Sequence, residues 1–174
     1  MGGVLKTSYQ SVSDTGNIQK TRKESGAPPT TEVTGLRAWL RMKMQTLEIN
    51  TNSHTEMIDI TRRIQQIVTE SEVEDGICLV FVPHTTAAVT INENADPDVQ
   101  RDMIKELDSI VPWDDGYRHF EGNSAAHLKA SMFGPSQQII IENGRLQLGT
   151  WQGIYFCEFD GPRHRKITVK VIEG

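Results

Sequence analysis

The amino-acid sequence predicts an α+β protein: a mixed, largely antiparallel sheet or sandwich of about six to seven strands with about three helices. Three observations point there. Short strand-like apolar runs recur from Thr46 to the C-terminus, helical periodicity interrupts them, and an Asn-Gly step separates two of the C-terminal runs.

Residues 1–35 precede this pattern. Ser, Thr, Gly, Lys and Pro dominate there and GAPPTTEVTG reads as a linker, so a flexible arm or an appended extension is expected, with 36–174 forming one domain. In LRAWLRM, Leu36, Trp39 and Leu40 fall at helical spacing, which predicts a short amphipathic helix packed on the body. Thr46 to Asn50 alternates Leu47 and Ile49 with polar neighbours, as a half-buried strand does. A helix should follow, because Met57, Ile60, Ile64, Ile67 and Val68 recur on one face and Ser53 or Thr55 can cap its first turn. GICLVFVP, from Gly76 to Pro83, is continuously apolar and predicts a strand covered on both faces.

Alternation resumes at Ala87, Val89 and Ile91. Asp96-Pro97 then starts a helix, since the carboxylate accepts from orphan amides and proline at the first position lacks only a bond it would not make. Val99, Met103, Ile104 and Leu107 give that helix its apolar face, ending near Pro112. WDDGYRHFEGN is a polar loop, and Ser124 to Phe133 forms a shorter helix capped by Asn123 or Ser124 and stopped by Gly134-Pro135. QQIIIENGRLQLGTW predicts a hairpin whose Asn143-Gly144 step supplies the positive φ angles of a type I′ turn. IYFCEFD and KITVKVIE form two more alternating strands around Gly161-Pro162.

Composition bounds the function. With 37% hydrophobic and 24% charged residues in 174, the chain is neither a disordered nor a membrane protein. A net charge of -5 argues against a nucleic-acid partner. MGGVLKTSYQ has no long apolar stretch, so no secretion signal is expected and a cytoplasmic location is the default. Cys78 and Cys157 sit in apolar runs and should be buried reduced thiols.

Chemistry concentrates in HTTAAVTINENADPDVQ, where polar groups follow directly on the most apolar run, and this marks a catalytic or binding rim. His84, His119 and His127 fall at element junctions or in a short helix. Converging imidazoles would suit a divalent ion, zinc or magnesium, although no compact ligand pair such as HExxH is present. His54 and His164 read as structural. Asp96 reads as a cap and Asp98 as a helix-dipole partner, which leaves Glu93 free for acid-base work or for a hard cation. Arg163 to Lys166 is the densest positive run and would attract a diphosphate or a carboxylate. In LGTWQG, Trp151 is expected to fill the core rather than cover a ligand. Glu158 lies on an apolar strand face and needs a partner, either a metal-bound histidine or an arginine.

Taken in order, HTTAAVTINENADPDV, YRHFEGNSAAHLKAS and NGRLQLGTWQGIYFCEFDGPR closely resemble the YjbQ family, small proteins credited with a secondary thiamine-phosphate synthase activity. The resemblance runs from about Met44 to the C-terminus, and residues before about Gly35 have no counterpart in it. It implies an α+β fold assembled as a homotrimer, with a polar pocket near subunit contacts that holds the family's histidines, here His84, His119 and His127. The family's NEN and GTWQG segments fall on Asn92 to Asn94 and Gly149 to Gly153, and its strand glutamate on Glu158. On this reading Glu93, Glu158 and Arg163 are catalytic, and Thr85, Asn92, Asn94, Trp151 and Gln152 bind a small phosphorylated substrate. The implied reaction joins a pyrimidine methyl diphosphate to a thiazole phosphate and releases diphosphate, a transferase step. A non-catalytic trimeric small-anion-binding module and a metal-activated hydrolase are the alternatives.

Overall fold

The structure, a computed structural model, describes residues 43–174. The arm expected at 1–35 and the helix expected at Leu36–Met42 lie outside the described residues. Within them the order is β1 (Lys43–Asn50), β2 (Glu56–Asp59), α1 (Thr61–Ser71), β3 (Gly76–Phe81), β4 (Ala87–Glu93), α2 (Pro97–Ile110), α3 (Ser124–Phe133), β5 (Ser136–Glu142), β6 (Arg145–Leu146), β7 (Gln152–Glu158) and β8 (His164–Glu173). These eight strands, one more than the upper expectation, make two antiparallel sheets. One has the order β1-β8-β3-β5-β6 and the other β2-β7-β4.

The fold is layered because β7 is apolar on both faces. Ile154 and Phe156 join a core shared with the five-stranded sheet and α1. Tyr155, Cys157 and Phe159 face the other way, into a second core with Leu107 of α2 and Ala126 and Ala130 of α3. The alternation expected for IYFCEFD is therefore corrected: a strand in a middle layer meets apolar neighbours on both sides. The reverse correction applies to β3. Cys78 and Val80 are buried, but Ile77 and Phe81 are 42% and 41% exposed. Its neighbours β5 and β8 both run antiparallel to it, so no crossover helix is required on the second face.

Met57 lies on strand β2, not on the helix predicted across it, and pairs with Cys157. Helix α1 starts later, at Thr61, and neither Ser53 nor Thr55 caps it. Asp59 Oδ1 instead accepts from the Thr61 amide at 2.8 Å, and the Thr61 hydroxyl accepts from the Ile154 amide at 2.8 Å, which ties the helix start to β7.

Other local expectations hold. Asp96 accepts from the Asp98 amide at 2.9 Å with Pro97 opening α2. Asn143 and Gly144 take φ of 51° and 69° between β5 and β6. Cys78 and Cys157 are free and buried, and burial pushes the Cys78 thiol up to about 12. Among the described residues no helix is long and apolar enough to cross a membrane.

Candidate functional site

The short link between β3 and β4 carries His84. Pairing of Ala87 with Glu158 sets this end of the three-stranded sheet beside the start of β8. There the Lys166 amide donates to His84 Nε2 at 2.9 Å. A backbone N–H can only donate, so Nε2 holds a lone pair and the ring proton sits on Nδ1. Burial, reinforced by the nearby Arg165 guanidinium, lowers the His84 pKa and keeps this ring neutral. His84 thus offers an N–H donor, and it shares a cavity of about 300 Å³ with His127, Thr85 and Ser131.

His127 stands on α3, where buried Ala125, Ala126 and Ala130 let the helix approach the sheet closely. Its ring lies 5.4 Å from that of His119, centroid to centroid, at 79°. Both rings, with Tyr117, Ser124 and Leu128, line a second cavity of about 400 Å³. The loop bearing His119 is pinned by the Tyr117 hydroxyl, which donates to the Pro112 carbonyl at 3.0 Å. His127 therefore joins two hollows, one shared with His84 and one with His119. Around them Phe120, Leu128 and Met132 are exposed. At the N-terminus of α3, Asn123 donates to Asp160 at 3.1 Å instead of capping the helix, and its Oδ1 is buried without a partner.

Glu158 is fully buried and its oxygens are committed. Oε2 accepts from Arg165 Nε at 2.7 Å and from Thr51 Oγ1 at 3.1 Å, while Oε1 accepts from Arg165 and from the amides of Phe159 and Asp160. Arg165 also donates to Thr86 Oγ1 at 2.9 Å. Of the two partners expected for this carboxylate, the arginine is the one present. Arg165 lies in the positive run read from the sequence, but Arg163 is the member expected to act; Arg165 is in phase with Ile167, Val169 and Val171, and a cation on an apolar stripe is the signal that marks it as the partner of Glu158. Arg163 is half-exposed and donates to the carbonyl and carboxylate of Asp160, each at 2.7 Å. Lys129 was missed: it is buried in α3 and paired with Asp108 of α2.

The NEN and GTWQG segments occupy the opposite end of the same sheet, where Glu93 pairs with Gln152. A seven-residue strand separates them from the histidines by about 20 Å. They interlock with each other. The Asn94 amide donates to the Trp151 carbonyl at 2.9 Å, the Gly149 amide to Gln152 Oε1 at 2.8 Å, and the Tyr155 hydroxyl to the Glu93 carbonyl at 3.1 Å. Asn92 donates to Met103. A Cβ at Gly153 would meet the Asn94 side chain at 2.7 Å, so glycine makes room for it. Trp151 is 64% exposed, a correction to core filling: the turn at 149–152 carries it beyond the sheet edge.

The structure thus brings His119 to His127 and His127 to His84, and leaves Glu93, Asn92, Asn94, Trp151 and Gln152 elsewhere. Among the described residues no three His, Cys, Asp or Glu side chains are grouped to hold a metal ion. His84 also has its Nε2 lone pair engaged. Within this chain the described residues do not gather the three expected imidazoles around one point.

A family model described as UPF0047 protein YjbQ-like matches residues 45–174. The chain is similar to UPF0047 protein YugU of Bacillus subtilis, 55% identical over 130 residues, covering 74% of this chain and 98% of that one. A UPF0047 protein of Methanocaldococcus jannaschii is 54% identical over 125 residues, covering 72% and 91%. Among solved structures, a YjbQ/UPF0047-family protein of Clostridium acetobutylicum matches at 58% identity with a TM-score of 0.73, covering 74% of this chain and 99% of its own.

Proposed function

The chain belongs to the UPF0047 YjbQ-like family, and from that premise we propose that its histidine face binds small phosphorylated molecules and joins a pyrimidine methyl diphosphate to a thiazole phosphate. The observation that carries the reading is the hydrogen bond from the Lys166 amide to His84 Nε2. With Nε2 held by the Lys166 amide, Nδ1–H is the free polar group of the ring, and a donor beside a second imidazole suits phosphate oxygen. In the reaction the methylene carbon–oxygen bond of the pyrimidine diphosphate breaks, the thiazole nitrogen forms the new carbon–nitrogen bond, and the electron pair leaves on diphosphate. His84 and His127 donate hydrogen bonds to that departing group, where negative charge accumulates. The buried Glu158–Arg165 pair holds β8, and with it the Lys166 amide, in place.

A homotrimer accords with this reading, because exposed Phe120, Leu128 and Met132 surround the histidines and would be covered by another copy. A divalent ion would join only with a third donor from such a copy. Light scattering and elemental analysis of the purified protein check both points.

The decisive assay mixes protein with the two phosphorylated substrates and measures thiamine phosphate and diphosphate, for wild type, His84→Ala and His127→Ala. Turnover in wild type with at least about a tenfold loss in each variant, roughly 1.4 kcal/mol, is expected. Diphosphate binding without turnover would select the non-catalytic anion-binding module. Absence of both binding and turnover would reject the reading.

A further inference from the structure

We propose that the hollow lined by Tyr117, His119 and Leu128 holds a flat aromatic ring, so that ligands of the histidine face are phosphate esters read in two halves divided at His127. The inference rests on the phosphate binding proposed above and concerns the half of the ligand that no phosphate contact specifies.

The two hollows share His127 but differ in chemistry. Beside His84 the lining is polar, with the free ring N–H of His84, Thr85 and Ser131. Around His119 it is largely aromatic and aliphatic. Leu128 brings no polar group, and Tyr117 has spent its hydroxyl proton on the Pro112 carbonyl, so it offers its ring. The imidazoles of His119 and His127 meet at 79°, and Phe120 stands edge-on to His119 at 5.4 Å. Walls of this kind suit a planar ring, which is held by burial and by edge-to-face or offset contacts. Ser124 adds a hydroxyl that can meet a ring nitrogen, and the volume of about 400 Å³ lies toward the small end of ligand cavities.

Charge separates the hollows in the same sense. The loop from Trp113 to Gly122, which carries Tyr117 and His119, holds Asp114, Asp115 and Glu121 against Arg118, three acids to one base and a formal -2. Glu121 Oε2 lies 3.5 Å from His119 Nε2. A phosphate placed at His119 would face that carboxylate, whereas an uncharged or cationic ring would not be repelled by it. The phosphate therefore belongs beside His84 and the ring beside Tyr117. Because His127 lines both hollows, a phosphate and a ring joined by a short linker can occupy them together.

The test titrates the full chain with methyl phosphate and with benzyl phosphate, which share the acid group and differ in the aromatic ring. Calorimetry should show benzyl phosphate binding at least about tenfold tighter. Its ring protons should give nuclear Overhauser contacts to the Leu128 methyls and the Tyr117 ring. Equal affinities, or ring contacts to the Thr85 methyl in place of Leu128, would overturn the ring assignment while leaving phosphate binding intact. Failure of both esters to bind would overturn it together with the reading on which it rests.

Discussion

The two ends of the three-stranded sheet carry equally conspicuous polar motifs and use them in opposite ways. At the NEN and GTWQG end the groups satisfy one another: Asn94 sits against Gly153, Gln152 closes the turn onto Gly149, and Tyr155 ties β7 to the Glu93 carbonyl. At the histidine end the Glu158–Arg165 pair is closed off below, while the imidazoles above it, His84 held through Nε2 by the Lys166 amide and His119 beside Glu121, still line open hollows. A dense polar motif therefore marks either a lock or a site. What separates them is whether the segments close on each other through their backbones, as NEN and GTWQG do, or leave side chains lining a hollow.

The largest effect should come from breaking the foundation of the histidine end. Arg165→Met leaves Glu158 buried without its cation and should cost about 3–5 kcal/mol, read as a fall in the urea midpoint. Gly153→Ala tests the lock at the other end. It should cost about 1–3 kcal/mol, because the new methyl meets Asn94 at 2.7 Å, and adding Asn94→Ala should recover part of the loss. If Gly153→Ala is neutral, the contrast between the ends is lost. His127→Ala should sharpen it in the other sense, changing stability by less than about 1 kcal/mol while abolishing diphosphate binding by calorimetry.

The smallest effect is a pH dependence. His84 has its pKa lowered in the fold below the ordinary 6.5, chiefly by burial, so the unfolded chain takes the proton first. The stability it contributes is complete above about pH 6.5 and is lost as the pH falls from there through the lower folded value. Between about pH 7 and pH 5 the urea midpoint of wild type should drop more than that of His84→Ala.

Much of the fold was legible because local rules and packing agree. Asp96-Pro97 opened α2 and Asn143-Gly144 turned the hairpin, as their backbone chemistry requires. The failures lie where tertiary position overrides pattern. Met57 fits the helical stripe of Ile60 and Ile64 but pairs in β2, and β7 hides two opposite faces because helices and a second sheet enclose it. At the site, His119 and His127 are eight positions apart, yet the link from His127 to His84 depends on α3 lying over β4, which no spacing reveals. Arg165 is legible from its phase on β8, within a positive run whose more conspicuous member is Arg163. The separation of the NEN segment from the histidines was not readable, since it rests on strand direction.

Anion binding on the histidine face rests on the His84 ring presenting its Nδ1–H to the ligand. Proton–nitrogen correlation spectroscopy of the imidazoles, recorded while diphosphate is added, tests it most directly. An Nδ1–H tautomer is expected for His84 before addition, with His84 and His127 ring nitrogens shifting on addition and His164 unmoved. An Nε2–H tautomer, or rings at positions 84 and 127 indifferent to saturating diphosphate, would contradict it.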